Sequence, residues 1–164
     1  LNTVHAYTAT QNLVDGPSPK DPRRGRAAGL NIVPSTTGAA EAVFRSIPET
    51  KGIFDGIALR VPVPTGSIID FTFLAKRKTS VEEINNIFKE AQNNPRWKGI
   101  LTVTEDPIVS SDIIQNPYAS IVDLTLTRVV DGDLVKVMSW YDNEWGYANT
   151  LVEHVLRIGR ALGL

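Results

Sequence analysis

His5 is one of only two histidines in the chain and stands in an apolar, strand-like segment. A neutral imidazole there can take a proton as general base and return it as general acid. A lone histidine without an identified partner can equally be structural. Ser35-Thr36-Thr37-Gly38 opens a helix-like stretch, where unpaired backbone N–H groups, hydroxyls and the helix dipole converge on a space suited to an anion; ordinary N-capping uses the same residue types. Arg60 lies in Ile57-Ala58-Leu59-Arg60-Val61, and a guanidinium in so apolar a strand needs an anionic partner or a route to solvent. Asn143 sits within Trp140 to Tyr147, a run dense in aromatic residues. Its amide can face a planar carboxamide ligand, or it can cap a helix while the rings fill the core. His154, between Glu153 and Arg157 in a helical pattern, reads as a surface residue.

Cysteine is absent, which removes disulfides, thiolate metal sites and a cysteine nucleophile from these residues. A formal net charge of -1 gives no overall positive field to attract nucleic acid or anionic lipid. Lys20, Arg23, Arg24 and Arg26 form a basic cluster, but no aromatic residue interleaves to stack on bases. The longest apolar runs are strand-sized, well short of the ~20 residues of a membrane-spanning helix. Hydrophobic residues at 42% and charged residues at 21% place the chain among globular domains and not disordered segments. Neither nucleic acid nor a membrane is an expected partner.

The elements that must hold these side chains follow from periodicity and breakers. Leu1 to Thr8 alternates as a strand already under way at the first residue, so a preceding polypeptide is expected. Gln11 to Arg26, with Gly16, Pro17, Pro19 and Pro22, is a long loop. A helix runs from about Gly38 towards Pro48, with Ser35, Thr36 or Thr37 as its cap. Gly56 to Val63 and Ser67 to Ala75 read as strands joined by a turn. Thr79 or Ser80, with Glu82 or Glu83 three residues on, starts a helix that carries Val81, Ile84, Ile87, Phe88 and Ala91 and ends at Asn94-Pro95. Gly99 to Val103 is a short strand, and Ile121 to Val130 turns at Asp131-Gly132 into Leu134 to Tyr141. From Glu144, Trp145, Ala148, Leu151, Val152, Val155, Ile158 and Leu162 mark the apolar face of a closing helix. Hairpins with interspersed helices and no strict βαβ alternation indicate an α+β fold, a largely antiparallel mixed sheet covered by helices.

Five ordered motifs then stand out: Thr-Val-His-Ala-Tyr-Thr at 3 to 8, Asp-Pro-Arg-Arg-Gly-Arg-Ala-Ala at 21 to 28, and Asn-Ile-Val-Pro-Ser-Thr-Thr-Gly-Ala-Ala at 31 to 40. Gly-Ile-Ala-Leu-Arg-Val-Pro at 56 to 62 and Ser-Trp-Tyr-Asp-Asn-Glu-Trp-Gly-Tyr at 139 to 147 complete the set. Together they resemble the bacterial and eukaryotic type of phosphorylating glyceraldehyde-3-phosphate dehydrogenase, through essentially the whole chain. The resemblance implies a C-terminal catalytic domain over 1–143, lacking its first, cysteine-bearing segment, and a helix over 144–164 that packs on an N-terminal Rossmann domain. It implies a homotetramer using NAD, glyceraldehyde 3-phosphate and inorganic phosphate; strand-sized apolar runs and an opening unlike a secretory signal make a cytoplasmic location the expectation.

In that resemblance His5 matches the catalytic histidine that raises the cysteine's thiolate character. Thr8 and Arg60 match the grip on the substrate's phosphate, Thr37 and Gly38 the inorganic-phosphate site, and Arg24 an arginine serving both anions. Asn143 matches the residue that orients the nicotinamide carboxamide, and Tyr147 the ring beside it. The Gln11 to Arg26 loop resembles a segment crossing a subunit interface. Three positions depart from the family pattern: Glu41 stands where a lysine is expected, and Gly25 and Gly29 replace alanines, which is expected to loosen the loop's exit. Two other readings stay open, a non-catalytic anion-binding or assembly fragment and an erythrose-4-phosphate dehydrogenase.

Overall fold

A computed structural model describes residues 1–163; Leu164, the last residue of the expected closing segment, lies outside the described residues. Seven strands form one mixed sheet in the order β2-β3-β1-β4-β7-β6-β5. They are β1 (Asn2–Ala6), β2 (Val33–Thr36), β3 (Ile57–Val61), β4 (Ser67–Leu74), β5 (Leu101–Thr104), β6 (Ser120–Val130) and β7 (Leu134–Tyr141). The helices are α1 (Ala39–Ser46), α2 (Val81–Asn93) and α3 (Trp145–Ala161). Pairing is antiparallel for β1–β4, β2–β3, β4–β7 and β6–β7, and parallel for β1–β3 and β5–β6. The α+β class and largely antiparallel mixed sheet expected from the sequence are thus present.

Local chemistry accounts for the elements. Ser80 caps α2 by accepting the Glu83 N–H at 3.1 Å, and the residues at helical spacing behind it turn one face to the sheet. Ile84 and Phe88 from that face meet Val122, Leu124, Val135 and Val137 in the main apolar core. Asp131 and Gly132 adopt φ of 49° and 76°, the primed-turn geometry that matches the twist of β6 and β7.

Two local expectations change. Asn31 to Thr37, read as the approach to a helix, contains the strand β2. Pro34 is compatible with it because β2 is the edge strand and has a partner, β3, on one side only. Second, β3 and β4 do not pair with each other: β1 inserts between them, parallel to β3 and antiparallel to β4. That insertion sets His5 directly across from Arg60 in the ladder.

The two ends of the sheet are finished differently. Residues in register share a face, so Phe73 and Val135 under α2 lie on the same side as Thr3, His5, Ala58 and Arg60. At the β5–β6 end that side is packed by α2; at the β1–β3 end it carries polar and ionisable groups. Among the described residues no helix is long and apolar enough to cross a membrane.

Candidate functional site

The site is centred on one peptide group. The Ala6 carbonyl accepts a 2.7 Å hydrogen bond from His5 Nδ1 and receives a longer contact of 3.5 Å from Arg60 Nη1. A carbonyl only accepts, so Nδ1 carries the proton of the neutral ring and Nε2 is left with a free lone pair. Burial lowers the His5 pKa below its ordinary 6.5, and the neighbouring positive charge of Arg60 lowers it further; the Ala6 carbonyl and Glu144 oppose but do not reverse the shift. The imidazole is therefore a neutral proton acceptor at physiological pH. Tyr141 packs edge-on against it with ring centroids 5.9 Å apart, and its hydroxyl shares a 2.8 Å hydrogen bond with Thr3.

Arg60 is half-buried and has no carboxylate partner among the described residues. Burial lowers its pKa and the like charge of Arg24 adds to that, yet a guanidinium stays protonated. Two arginines close enough to repel, with an imidazole beside them, make a place where an incoming anion is stabilised. Arg24 is oriented by Asp21 at 3.4 Å and donates to Thr10 Oγ1 at 3.2 Å; Thr10 in turn shares a 3.1 Å hydrogen bond with Thr8. Thr8, Thr10 and Arg24 form one hydrogen-bonded set and His5 and Arg60 another around Ala6 O, and the two sets are near enough for the Arg24 charge to act on Arg60.

The loop that carries Arg24 is ordered by its own backbone. Asn12 N–H donates to Arg24 O at 2.9 Å, Gly16 N–H to Gly25 O at 2.8 Å, and Ala28 N–H to Asn12 O at 3.0 Å. Gly25 does not loosen the exit as expected from the sequence. It is buried, and a Cβ built on it would lie 2.3 Å from Gly16 O, so the close approach of two backbone segments requires glycine. Glu41 forms an i,i+4 ion pair with Arg45 on the exposed side of α1, which balances its charge locally.

Thr37 and Gly38 lie apart from this group. Thr36 is opposite Ile57, so Thr37 falls beside Gly56, roughly 13 Å along β3 from Arg60 at about 3.3 Å per residue. Thr37 Oγ1 accepts the Ala39 N–H at 3.2 Å, and Gly38 is the N-cap of α1. Thr37 and Arg24 line the same open cleft of about 850 Å³, together with Lys20, Arg23 and Ser35. Arg24 accordingly stands between the Arg60 group and the start of α1. The Ser35 hydroxyl has no hydrogen-bond partner among the described residues.

Asn143 joins the group from the other side of β1. Its Oδ1 accepts from Gly66 N–H at 3.1 Å and from Ser67 Oγ at 3.2 Å, and one Nδ2–H donates to Glu144 Oε1 at 3.2 Å. One Nδ2–H remains for a ligand carbonyl. Tyr147 is 68% exposed on α3 and touches none of the other site residues through a hydrogen bond or ring contact among the described residues. Sequence reasoning missed Ser67, Asp142 and Tyr141. Asp142 is 3% exposed, and its carboxylate accepts from Thr65 Oγ1 and the backbone N–H groups of Gln115, Glu144 and Trp145. Burial alone would raise its pKa, but those four bonds together hold it below the ordinary carboxylate value.

Residues 1–143 match the family profile described as glyceraldehyde 3-phosphate dehydrogenase, C-terminal domain, and the chain belongs to that family of dehydrogenases. The glyceraldehyde-3-phosphate dehydrogenase of Mycobacterium tuberculosis is 56% identical over 162 residues, covering 99% of this chain and 47% of that protein. The enzymes of the same name from Mycobacterium avium and Mycolicibacterium smegmatis are 56% and 54% identical over the same coverage. The chain spans about half the length of the curated relatives it matches.

Proposed function

We propose that this chain is the C-terminal, substrate-handling part of a phosphorylating glyceraldehyde-3-phosphate dehydrogenase of glycolysis and gluconeogenesis. Residues 1–143 act as the substrate domain and 144–164 as the helix that docks on the N-terminal half. The observation that carries this reading is the neutral His5 imidazole, Nε2 free, beside an Arg60 guanidinium with no carboxylate partner among the described residues. In the intact protein His5 Nε2 takes the proton of a cysteine thiol contributed by the N-terminal half. The thiolate adds to the aldehyde carbon of glyceraldehyde 3-phosphate, His5 returns that proton to the resulting oxyanion, and the neutral imidazole then takes the hydroxyl proton back as the carbon is oxidised. NAD, when bound, supplies the hydride acceptor. Inorganic phosphate displaces the thiolate, releasing 1,3-bisphosphoglycerate.

Arg60 and Thr8 hold the substrate's phosphate, Thr37 and Gly38 hold inorganic phosphate, and Arg24 serves both. Asn143, with one Nδ2–H uncommitted, suits a carboxamide oxygen of NAD, and the exposed Tyr147 ring flanks it. The parent is read as a cytoplasmic homotetramer, and the present chain, lacking cysteine, as inactive by itself. The test is the parent polypeptide assayed with glyceraldehyde 3-phosphate, phosphate and NAD, with erythrose 4-phosphate as the competing aldehyde. Arg60→Lys is expected to raise the KM for the phosphorylated aldehyde about tenfold, the scale of one charge-assisted hydrogen bond. Unchanged kinetics in that variant, or no phosphate-dependent oxidation by the unmodified parent, would overturn the reading.

A further inference from the structure

Ser67 opens β4 at 1% exposure, and its hydroxyl both accepts and donates a hydrogen bond. The Ala6 N–H, an obligate donor, reaches Ser67 Oγ at 3.2 Å. The hydroxyl proton is thereby free to be donated, and it points to Asn143 Oδ1 at 3.2 Å. The Asn143 amide is fixed in the same sense by the Gly66 N–H, which can only donate and so identifies the facing atom as oxygen. Gly66 cannot be replaced without moving this corner, because its φ is +87° and a Cβ would meet Ser110 O at 2.7 Å. The β1–β4 ladder ends at Val4, opposite Ile68, so the Ser67 side chain does for Ala6 what a ladder carbonyl would otherwise do.

We infer that Ser67 is a positioning residue that sets the cofactor-facing amide of Asn143 against the strand bearing His5. The same residue, Ala6, gives its N–H to Ser67 and its carbonyl to His5 Nδ1, so the two successive peptide groups that flank it are both held. One hydroxyl therefore ties the hydrogen-bond donor facing the nicotinamide to the proton acceptor across a path of three hydrogen bonds, Asn143 to Ser67, Ser67 to Ala6 and Ala6 to His5 Nδ1. Ser67 touches no reacting atom; it acts by keeping the Asn143 Nδ2–H aimed outward and the two groups at a fixed separation. This inference rests on the dehydrogenase reading for the roles of Asn143 and His5.

The experiment is steady-state kinetics on the full-length parent carrying Ser67→Ala, Ser67→Thr, Asn143→Ala and the Ser67→Ala/Asn143→Ala pair, with thermal melts in parallel. Ser67→Ala is expected to raise the KM for NAD roughly three- to tenfold, the scale of one neutral hydrogen bond, while the KM for the aldehyde changes less than twofold. Ser67→Thr, which keeps the hydroxyl, is expected to restore the NAD KM. In the Asn143→Ala background, Ser67→Ala should have no further effect on that constant, since the two act as one unit. Should Ser67→Ala fail to fold, Ser67→Cys, close in size with a weak donor, replaces it in the same cycle. A lowered melting temperature with an unmoved NAD KM, or independent, additive effects of the two substitutions, would overturn the inference while leaving the dehydrogenase reading intact. An inactive unmodified parent would instead remove the reading on which it rests.

Discussion

At the residue scale, the two histidines have opposite surroundings. His154 is exposed on α3, whereas His5 is partly buried with its pKa lowered by burial and by Arg60. In the unfolded chain His5 takes up a proton near 6.5, but in the folded chain it does so only at lower pH. The unfolded state therefore binds more protons across that interval, and stability falls as pH drops from 6.5 through the lowered folded value. Above 6.5 the group contributes no slope. His5→Gln is expected to flatten the pH dependence of the urea midpoint in this window; an unchanged slope in that variant would contradict the buried-imidazole account. Asp142 acts in a separate, more acidic window, because its depressed pKa makes its contribution present above the ordinary carboxylate value and lost only below it.

At the scale of elements, the loop from Gln11 to Arg26 shows how an irregular segment holds a site residue in place. Its prolines exclude a long helix or a ladder; a single 3₁₀ turn over Pro22–Gly25, capped by Asp21, and the backbone bonds of Asn12, Gly16 and Ala28 supply the order instead. Gly25→Ala must displace a backbone oxygen, and about 1–3 kcal/mol of destabilisation is expected, the range for overpacking. Gly29→Ala meets no atom within 4 Å and should be neutral or stabilising by about 0.4–1 kcal/mol through the unfolded state. Denaturant melts of the two variants measure both, and a neutral Gly25→Ala would show that the loop is not closed as described.

At the scale of the whole molecule, α3 is the element that does not fit a self-sufficient domain. Its polar side faces the body: Asn149 Nδ2 donates to Pro117 O at 3.2 Å, and Gly146 packs so near Tyr118 O that a Cβ there would lie 3.0 Å away. Leu151, Val152, Val155, Leu156, Ile158 and Leu162 are instead 45–71% exposed. An amphipathic helix with its apolar stripe turned to water is a surface prepared for a partner, and the remaining half of the parent is the proposed one. Leu151→Lys with Val155→Lys should leave the melting temperature of this chain nearly unchanged. The same pair should weaken association with a separately produced N-terminal half by at least about tenfold, from roughly 1.5–3 kcal/mol per buried aliphatic side chain. Titration calorimetry of the two halves checks this, and undiminished binding would place the partner surface elsewhere.

The amino-acid sequence alone determined the local elements and the list of reactive side chains. Ser80 capping, the spacing of Ile84 and Phe88, and the Asp131-Gly132 turn are short-range physics, written within a few residues of where they act. The family motifs likewise named His5, Arg60 and Asn143. Only the tertiary structure decided which of these meet. The strand β1 between β3 and β4 is a pairing between distant segments, and no local periodicity specifies which strand a third one will join. That pairing puts His5 opposite Arg60, leaves Thr37 four strand positions away, and lands Asn143 on Ser67, an unremarked serine at the start of an apolar strand. Hydrogen bonds to a shared peptide such as Ala6 have no sequence signature, because every residue carries the same N–H and C=O, and only the fold selects the one that becomes a hub.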